Sequence, residues 1–298
     1  MYPVVSREMR RFAGAALALL VMLGTIHYIL DLDHRRRVRV AYRKYLEAGD
    51  SIALRRLILA EGCKSIDINT SVQYKTALHL GAGGDLDLLN VAIKCGADLE
   101  AKANPFRVTA LHLAVDTQRE DLIKALIAAG ADPNAVAGGE EGFTPLMQVV
   151  RSYSEEDPGR RVIHSRIIQY LLANGADANT TNAARQTALM LAAATGDDND
   201  VRLLVTGGAN PNARDRWGTS VLSYALCSCD HARIRYLVSR GAVPGKEFMA
   251  SGEPTPGISW LGCSERDREA FTVAIRRWLK RQTRQPARVP VKPKGLSH

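Results

Sequence analysis

The sequence is poor in aromatic side chains. Only 6% of its 298 residues are Phe, Trp or Tyr, and alanine and leucine supply most of the apolar content, a balance that favours helices over sheets. Apolar residues as a whole reach 46% and charged residues 24%, as in ordinary globular domains. Disorder along the whole chain is therefore excluded, and the length suffices for one or two domains with a core.

Catalytic motifs are lacking as well. The chain contains no Gly-x-Ser-x-Gly nucleophile turn, no His-Glu-x-x-His zinc helix and no Gly-x-x-x-x-Gly-Lys-Ser/Thr phosphate loop. The glycine-rich run at residues 81–84 resembles a phosphate loop only out of context, because it lies at a turn between helices and follows no strand. We therefore predict a protein that is not an enzyme, with no metal, cofactor or small-molecule substrate.

Cysteine is too sparse for a disulfide framework. The five cysteines are odd in number and spread over about 200 residues: Cys63, Cys95, Cys227, Cys229 and Cys263. Cys227, Cys229 and His231 could ligate a soft metal with Cys263, but the single-residue spacing is tight for zinc. A bridge from Cys227 or Cys229 to Cys263 stays open as an alternative.

A net positive charge is absent from the middle of the chain. The net charge of +9 comes from residues 1–45 and 264–298, whereas residues 46–263 carry more acidic than basic side chains. A domain that binds nucleic acid would carry its positive charge on the folded body. This distribution argues against a DNA or RNA partner.

One long hydrophobic run stands near the amino terminus. Residues 12–30 contain no charged side chain and one histidine, and at about 1.5 Å per residue they are just long enough to cross a membrane. No small-x-small cleavage site follows, so we predict a single-pass signal-anchor helix that holds the protein in the membrane. A basic tail, residues 1–11, precedes it, and a basic juxtamembrane linker, residues 31–41, follows.

The sequence leaves the membrane orientation open. Lys and Arg are more numerous on the carboxyl side of the segment, which favours a cytoplasmic body, although long domains translocate largely regardless of charge. Our working expectation is an extracytoplasmic body, periplasmic if the protein is bacterial.

A repeat runs through the middle of the chain. Thr-x-Leu patterns begin at Thr76, Thr109, Thr144 and Thr187, with a weaker copy at Ser220, in steps of 33 to 43 residues. A second marker, Gly-Ala followed in four of the five copies by Asp or Asn, keeps the same order at residues 96, 130, 175, 208 and 241. Each hydroxyl can cap a helix start, and each glycine falls where a helix must end.

These two markers resemble the Thr-Pro-Leu-His-x-Ala and Gly-Ala-Asp-x-Asn elements of the ankyrin-repeat family. The resemblance covers residues 42–245, with a degenerate first repeat at 42–70, and implies an all-α solenoid of about five or six helix pairs. In such repeats the recurring His79 and His112 are expected to make structural hydrogen bonds.

Two segments depart from the repeat. A ten-residue insertion within Ser152–His164 is predicted as an exposed loop, with a contact loop as the equal alternative. Residues 264–278 predict a C-terminal capping helix, or alternatively a partner-binding helix, within a cap at 246–282. The basic, proline-containing residues 283–298 are predicted to be disordered.

The ankyrin resemblance also implies a function, the binding of a protein partner by the finger tips between repeats. The register places the candidate partner-binding residues at Val72, Gln73, Pro105, Phe106, Glu140, Glu141, Arg216 and Trp217. A tip tryptophan beside arginines has the composition of a binding hot spot, although Trp217 could instead pack on the neighbouring finger. We thus expect a membrane-anchored adaptor, scaffold or stoichiometric inhibitor. A structural envelope component and a cysteine-based redox or metal module remain the alternatives.

Overall fold

The computed structural model of the chain describes residues 7–103, 106–139, 141–152, 158–195, 198–226, 230–243 and 273. Within these ranges the regular structure is helical, apart from isolated β-bridges, which confirms the all-α prediction. The chain divides into two compact units, Met1–Pro105 and Phe106–His298, here called unit 1 and unit 2.

Unit 1 holds four helices. They are α1 (Arg7–Ala48), α2 (Ser51–Glu61), α3 (Ala77–Ala82) and α4 (Leu86–Lys94). The carboxyl half of α1 buries Val38, Tyr42 and Leu46, which recur every four residues and so share one face of the helix. This face packs on α2, which buries Leu54 and Ile58. Each such buried side chain contributes about 1.5 to 3 kcal/mol to stability.

Glycine sets the packing distance between α3 and α4. A Cβ at Gly81 would stand 2.6 Å from the backbone nitrogen of Leu89, so only glycine allows this approach. Asp85 caps α4 by accepting the Leu88 N–H at 3.0 Å. Although partial burial opposes it, this N–H and the charge of Arg55 hold the pKa of Asp85 below its usual value.

The described part of unit 2 holds four further helix pairs. They are α5 (Ala110–Asp116) with α6 (Glu120–Ala128), α7 (Pro145–Arg151) with α8 (Pro158–Ala173), α9 (Ala188–Thr195) with α10 (Asp198–Thr206), and α11 (Val221–Leu226) with α12 (His231–Ser239). The first helices of successive pairs pack on one another, α5 on α7, α7 on α9 and α9 on α11. Neighbouring pairs thereby bury apolar faces that a single pair would leave exposed.

The helix termini of unit 2 follow the repeat markers. Thr144, Thr187 and Ser220 accept N–H groups of the first turn through their hydroxyls at 3.3 to 3.4 Å. Each second helix ends before a glycine of positive φ, between +89° and +98° at residues 130, 175, 208 and 241. The predicted glycine role is confirmed at these four positions and the hydroxyl role at these three, whereas in unit 1 the side chain of Thr76 does not cap α3.

An asparagine link joins the loops of consecutive repeats. In unit 2, Asn179 donates from Nδ2 to the Gly208 oxygen at 3.0 Å and accepts the Asn210 N–H at 2.7 Å. Asn134 and Asn212 make the same pair of bonds with the loops that follow them. In unit 1, Asn69 accepts the Asp98 N–H at 2.8 Å.

The structure corrects two expectations. Residues 158–164, predicted within a loop, form the first turns of α8, because Pro158 can occupy a first helical position without losing a hydrogen bond. Residues 31–41, predicted as a linker, belong to the continuous helix α1, whose Arg35 and Arg37 pair with Asp31 and Asp33 one turn earlier. Residues 153–157 of the insertion lie outside the described ranges.

Other predictions fall beyond what is described. The cap at 246–282, apart from the helical Val273, and the tail at 283–298 lie outside the described residues, as do residues 1–6. In the part of the chain that the structure describes, we find no helix with the length and apolar character needed to cross a membrane. The transmembrane assignment of residues 12–30 stays a prediction.

Candidate functional site

The loops between repeats end in tight turns that each contain a residue of left-handed conformation. In unit 2 these residues are Arg107 (φ +49°), Gly142 (+63°), Arg185 (+59°) and Gly218 (+85°). We call the described turns, residues 106–107, 141–142, 183–185 and 214–218, the tip row. Non-glycine residues held at positive φ are uncommon and cluster at functional sites, which directs attention to this row.

Backbone hydrogen bonds fix the spacing of the tips. The Ala183 N–H donates to the Glu141 oxygen at 2.9 Å, and the Arg216 N–H donates to the Ala184 oxygen at 2.9 Å. The Gly138 N–H donates in the same way to the Arg107 oxygen at 2.9 Å. Each tip is thus tied to the one before it, so that the row presents its side chains in a fixed order.

Buried polar side chains shape two of the tips. Asp215 is 4% exposed and accepts the N–H groups of Trp217 at 2.9 Å and Thr219 at 2.8 Å, while the Tyr224 hydroxyl donates to its other oxygen at 2.9 Å. Asn182, 5% exposed, accepts the Ala184 and Gln186 N–H groups at 3.0 and 2.8 Å. These contacts hold the tip backbones rigid, which lowers the entropy lost on binding.

Large apolar side chains of the tip row lie in solvent. Trp217 is 70% exposed and Phe106 is 69% exposed. The guanidinium of Arg216 lies 5.3 Å from the centre of the Trp217 ring, within cation–π distance. Trp217 is therefore not buried against the neighbouring finger, which was the alternative considered from the sequence.

The described tip row is basic, in contrast to the acidic middle of the sequence. It exposes four arginines, Arg107, Arg185, Arg214 and Arg216. Its exposed acid, Glu141, pairs with Arg151 at 3.2 Å, and Arg151 also lies 4.1 Å from the Phe143 ring centre.

The predicted partner-binding residues meet different outcomes. Phe106, Glu141, Arg216 and Trp217 are exposed in the tip row, whereas Pro105 and Glu140 lie outside the described residues. In unit 1, Gln73 is exposed but Val72 is half-buried, and the Val72 backbone pairs with that of Lys75 in both directions. Whether any of them binds a partner stays a prediction.

Tyr74 is an exposed tip residue that the sequence reasoning missed. It is 70% exposed and, with Gln73, has positive φ, so the two form the centre of the tight turn closed by Val72 and Lys75. The prediction named Val72 and Gln73, whereas the two central residues of the turn are Gln73 and Tyr74. The aromatic side chain in place of the usual glycine was the available signal.

The repeated histidines are structural, as predicted. His79 Nδ1 lies 2.7 Å from the Thr76 hydroxyl, and His112 Nδ1 lies 2.9 Å from the Thr109 hydroxyl. His112 Nε2 is also 3.0 Å from the Phe143 oxygen, which belongs to the next repeat. Both side chains are buried at a helix start, where they order the loop.

The structure contains a disulfide that was not predicted from the sequence. Cys63 and Cys95 form a disulfide whose Cα atoms are 5.0 Å apart. Cys63 follows Gly62 and Cys95 precedes Gly96, just after the ends of α2 and α4, so no common register marked the pair in the sequence. Cys227, Cys229 and Cys263 lie outside the described residues, and among the described residues no group of His, Cys, Asp and Glu could hold a metal.

Comparison with known proteins agrees with the architecture. The family model "Ankyrin repeats (3 copies)" matches residues 45–137, 82–157 and 161–247, more than half of the chain. Two rice proteins (Oryza sativa subsp. japonica), the BTB/POZ domain and ankyrin repeat-containing proteins NH5.1 and NH5.2, are each 31% identical over 125 residues, 42% of this chain. That stretch covers 23% of each relative. Ankyrin repeats imply a protein–protein interaction module, and on the family match this chain belongs to the ankyrin-repeat family.

Proposed function

We propose that the protein is a membrane-anchored, non-catalytic binding module, an adaptor or stoichiometric inhibitor, whose tip row in unit 2 docks a protein partner. The observation that carries this proposal is the exposed Arg216–Trp217 pair on a turn held by the buried Asp215. A large aromatic side chain in solvent gains most when a partner buries it, and Trp and Arg dominate measured hot spots.

The charge of the tip row indicates the kind of partner surface that it would bind. Four exposed arginines of the described tips face solvent around two exposed aromatic rings, and the row's Glu141 already pairs with Arg151. Such a surface complements an acidic patch with an apolar centre, since complementary charge steers encounter and excludes wrong partners. The partner therefore presents Asp or Glu side chains around a pocket for Trp217.

The test begins with a photo-reactive residue in place of Arg185 in the tip row. The same substitution at Arg202, an exposed residue of α10, is the control. A partner captured only from Arg185 is then purified, and its affinity is measured. R216A/W217A should weaken it about 30-fold, as loss of about 2 kcal/mol requires.

Charge is tested separately from the aromatic contact. R185A/R216A removes two exposed arginines from the tip row, and R202A/R240A removes one from α10 and one from the residue that follows α12. The first should slow association at low salt, and the second should leave it unchanged. Equal effects of both pairs would contradict the assignment of the site to the tip row.

The anchor is the second part of the proposal. Residues 12–30 are uncharged and lie within the continuous helix α1, whose Tyr28, Ile29 and Leu30 are exposed apolar side chains. Anchoring raises the local concentration of the module near a membrane-bound partner. Resistance of the full chain to alkaline carbonate extraction tests the anchor, and extraction into the soluble fraction would refute it.

We place the body on the oxidising side of that membrane. The Cys63–Cys95 disulfide supports this orientation, because such bridges persist in extracytoplasmic compartments. The arginines after residue 30 favour the opposite orientation, but long domains translocate largely regardless of charge. Paired reporters fused after residue 298 test the orientation, and a cytoplasmic signal would overturn it.

A further inference from the structure

A cavity in unit 1 lies where the carboxyl half of α1 meets the loop after α2. Its volume is about 480 Å³, within the range of small-ligand sites. Three arginines on α1 at four-residue spacing, Arg35, Arg39 and Arg43, line one wall, because that spacing places them on one helix face. The opposite wall is the loop from Lys64 to Thr70.

The cavity carries an excess of positive charge. Four cations line it, Arg35, Arg39, Arg43 and Lys64, against the one carboxylate of Asp67. Within the described residues, Arg35 pairs with Asp31 at 2.8 Å, and the other three cations have no acidic partner. The Asp67 carboxylate is occupied by the Thr70 hydroxyl and the Asn69 N–H at 3.1 and 3.2 Å.

The walls of the cavity are held in place. Tyr42, buried beneath the arginines, donates its hydroxyl to the Ile68 oxygen at 3.1 Å. Burial, assisted by the charge of Asp67, raises the pKa of Tyr42 far above its usual value, so the hydroxyl stays a neutral donor. The Cys63–Cys95 disulfide fixes the residue directly before Lys64. The backbone that carries the cations is therefore held in place before any ligand arrives.

The cavity also lies close to the apolar segment. At about 1.5 Å per residue, Arg35 and Arg39 follow Leu30 by about 8 and 14 Å along α1. If residues 12–30 occupy the hydrocarbon core, as in the proposed function, Arg35 lies at the depth of the lipid headgroups and Arg39 lies one helical turn beyond it.

We propose that this cavity binds a phosphate group, with Arg39, Arg43 and Lys64 as its ligands. Guanidinium groups donate paired hydrogen bonds to phosphate oxygens, and an ammonium group adds a point charge. The phosphate belongs either to an anionic lipid headgroup or to a free phosphate. The lipid source rests on the proposed membrane anchor, whereas the cavity's chemistry does not.

The test uses the full chain in neutral detergent, with native mass spectrometry to count bound lipid. Phosphatidylglycerol is titrated against phosphatidylcholine, and a parallel titration uses inorganic phosphate, followed by its phosphorus NMR line width. The test variant is R39Q/R43Q. The matched control is R36Q/K44Q, which removes the same charge from another face of α1, where both residues line a separate hollow with Asp33. All four side chains are exposed, so both variants should fold.

We expect one tightly held phosphatidylglycerol, with binding weakened at least tenfold by R39Q/R43Q and less than twofold by R36Q/K44Q. The cavity would be assigned to a free phosphate by a different result. In that case no lipid adduct forms, and phosphate binding broadens the phosphorus line in a way that R39Q/R43Q weakens and R36Q/K44Q does not. Equal losses in both variants would mean diffuse attraction and would overturn the proposal, as would binding that R39Q/R43Q leaves unchanged. Failure of carbonate resistance, with phosphate binding intact, would refute the anchor alone.

Discussion

The two units are built from similar helix pairs but stabilise them differently. Unit 1 closes consecutive repeats with the Cys63–Cys95 disulfide and with one hydrogen bond from the Asp98 N–H to Asn69. The described part of unit 2 repeats a two-bond asparagine link three times and buries ionisable side chains among its second helices, α8, α10 and α12. Consecutive repeats of unit 1 are thus joined by a covalent bond, whereas those of the described part of unit 2 are joined by hydrogen bonds and buried ion pairs.

The buried ionisable side chains of unit 2 show why its stability requires every hydrogen-bond partner. His164, 2% exposed, lies 2.6 Å from the carboxylate of Asp200, which is fully buried. Arg233, also 2% exposed, donates to Asp198 at 2.9 Å and to the Ala193 oxygen at 3.2 Å. Such groups stabilise a fold only when every partner is present, because a charge left alone in the interior is strongly unfavourable.

The largest expected effect is therefore the loss of Arg233. Arg233→Ala removes a side chain that is 2% exposed, together with its bonds to Asp198, Asp230 and the Ala193 oxygen, and should lower the free energy of unfolding of unit 2 by about 4 kcal/mol. Hydrogen exchange of the full chain measures this, since amides of α10 and α12 should exchange faster while unit 1 is unchanged. The exposed Arg240→Ala is the control, with about 0.5 kcal/mol or less. Equal loosening of both units would contradict their separation.

Reduction of the disulfide should produce the opposite pattern. Opening a bridge between residues 32 positions apart returns chain entropy to the unfolded state and should destabilise unit 1 by about 3 kcal/mol. Amides of α2 and α4 should exchange faster after reduction, and those of unit 2 should not. C63S/C95S should match the reduced protein and stop responding to reductant. A response of unit 2 to reductant would show that its stability also depends on a disulfide.

The sequence predicted the repeats but not this difference between the units. Residues such as Thr144 and Gly175 recur at fixed spacing, because each helix start needs a cap and each helix end needs a residue of positive φ. Such local requirements can be predicted from the spacing of residues in the sequence. The first turns of α8 were not predicted, since the residues around Pro158 are compatible both with a turn and with the start of a helix.

Contacts between distant residues were beyond the sequence. The pairing of Cys63 with Cys95 and the burial of His164 against Asp200 depend on which helix faces meet, and no local pattern specifies that. At the candidate site, the exposure of Trp217 was expected from register. Its support by Asp215 was not, because the same aspartate in another turn would lie in solvent.

The asparagine links give a smaller and more selective effect. Asn179 uses both its amide donor and its oxygen, whereas the described bond of Asn69 uses the oxygen alone. Asn179→Asp should therefore destabilise unit 2 by about 1 kcal/mol, and Asn69→Asp should leave unit 1 nearly unchanged. Urea unfolding of each variant, read by hydrogen exchange in both units, measures this. A loss in unit 1 equal to that in unit 2 would mean that the two links are equivalent.

The smallest effect concerns the strain that both units carry at their tips. Arg185 in unit 2 and Tyr74 in unit 1 have φ of +59° and +62°, which glycine adopts freely and other residues do not. Arg185→Gly and Tyr74→Gly should each raise the stability of their own unit by about 1 kcal/mol. Only Arg185→Gly should weaken binding of the partner, because its guanidinium belongs to the tip row. A stabilised protein with lower affinity would indicate strain kept for binding, whereas an unchanged affinity would exclude Arg185 from the site.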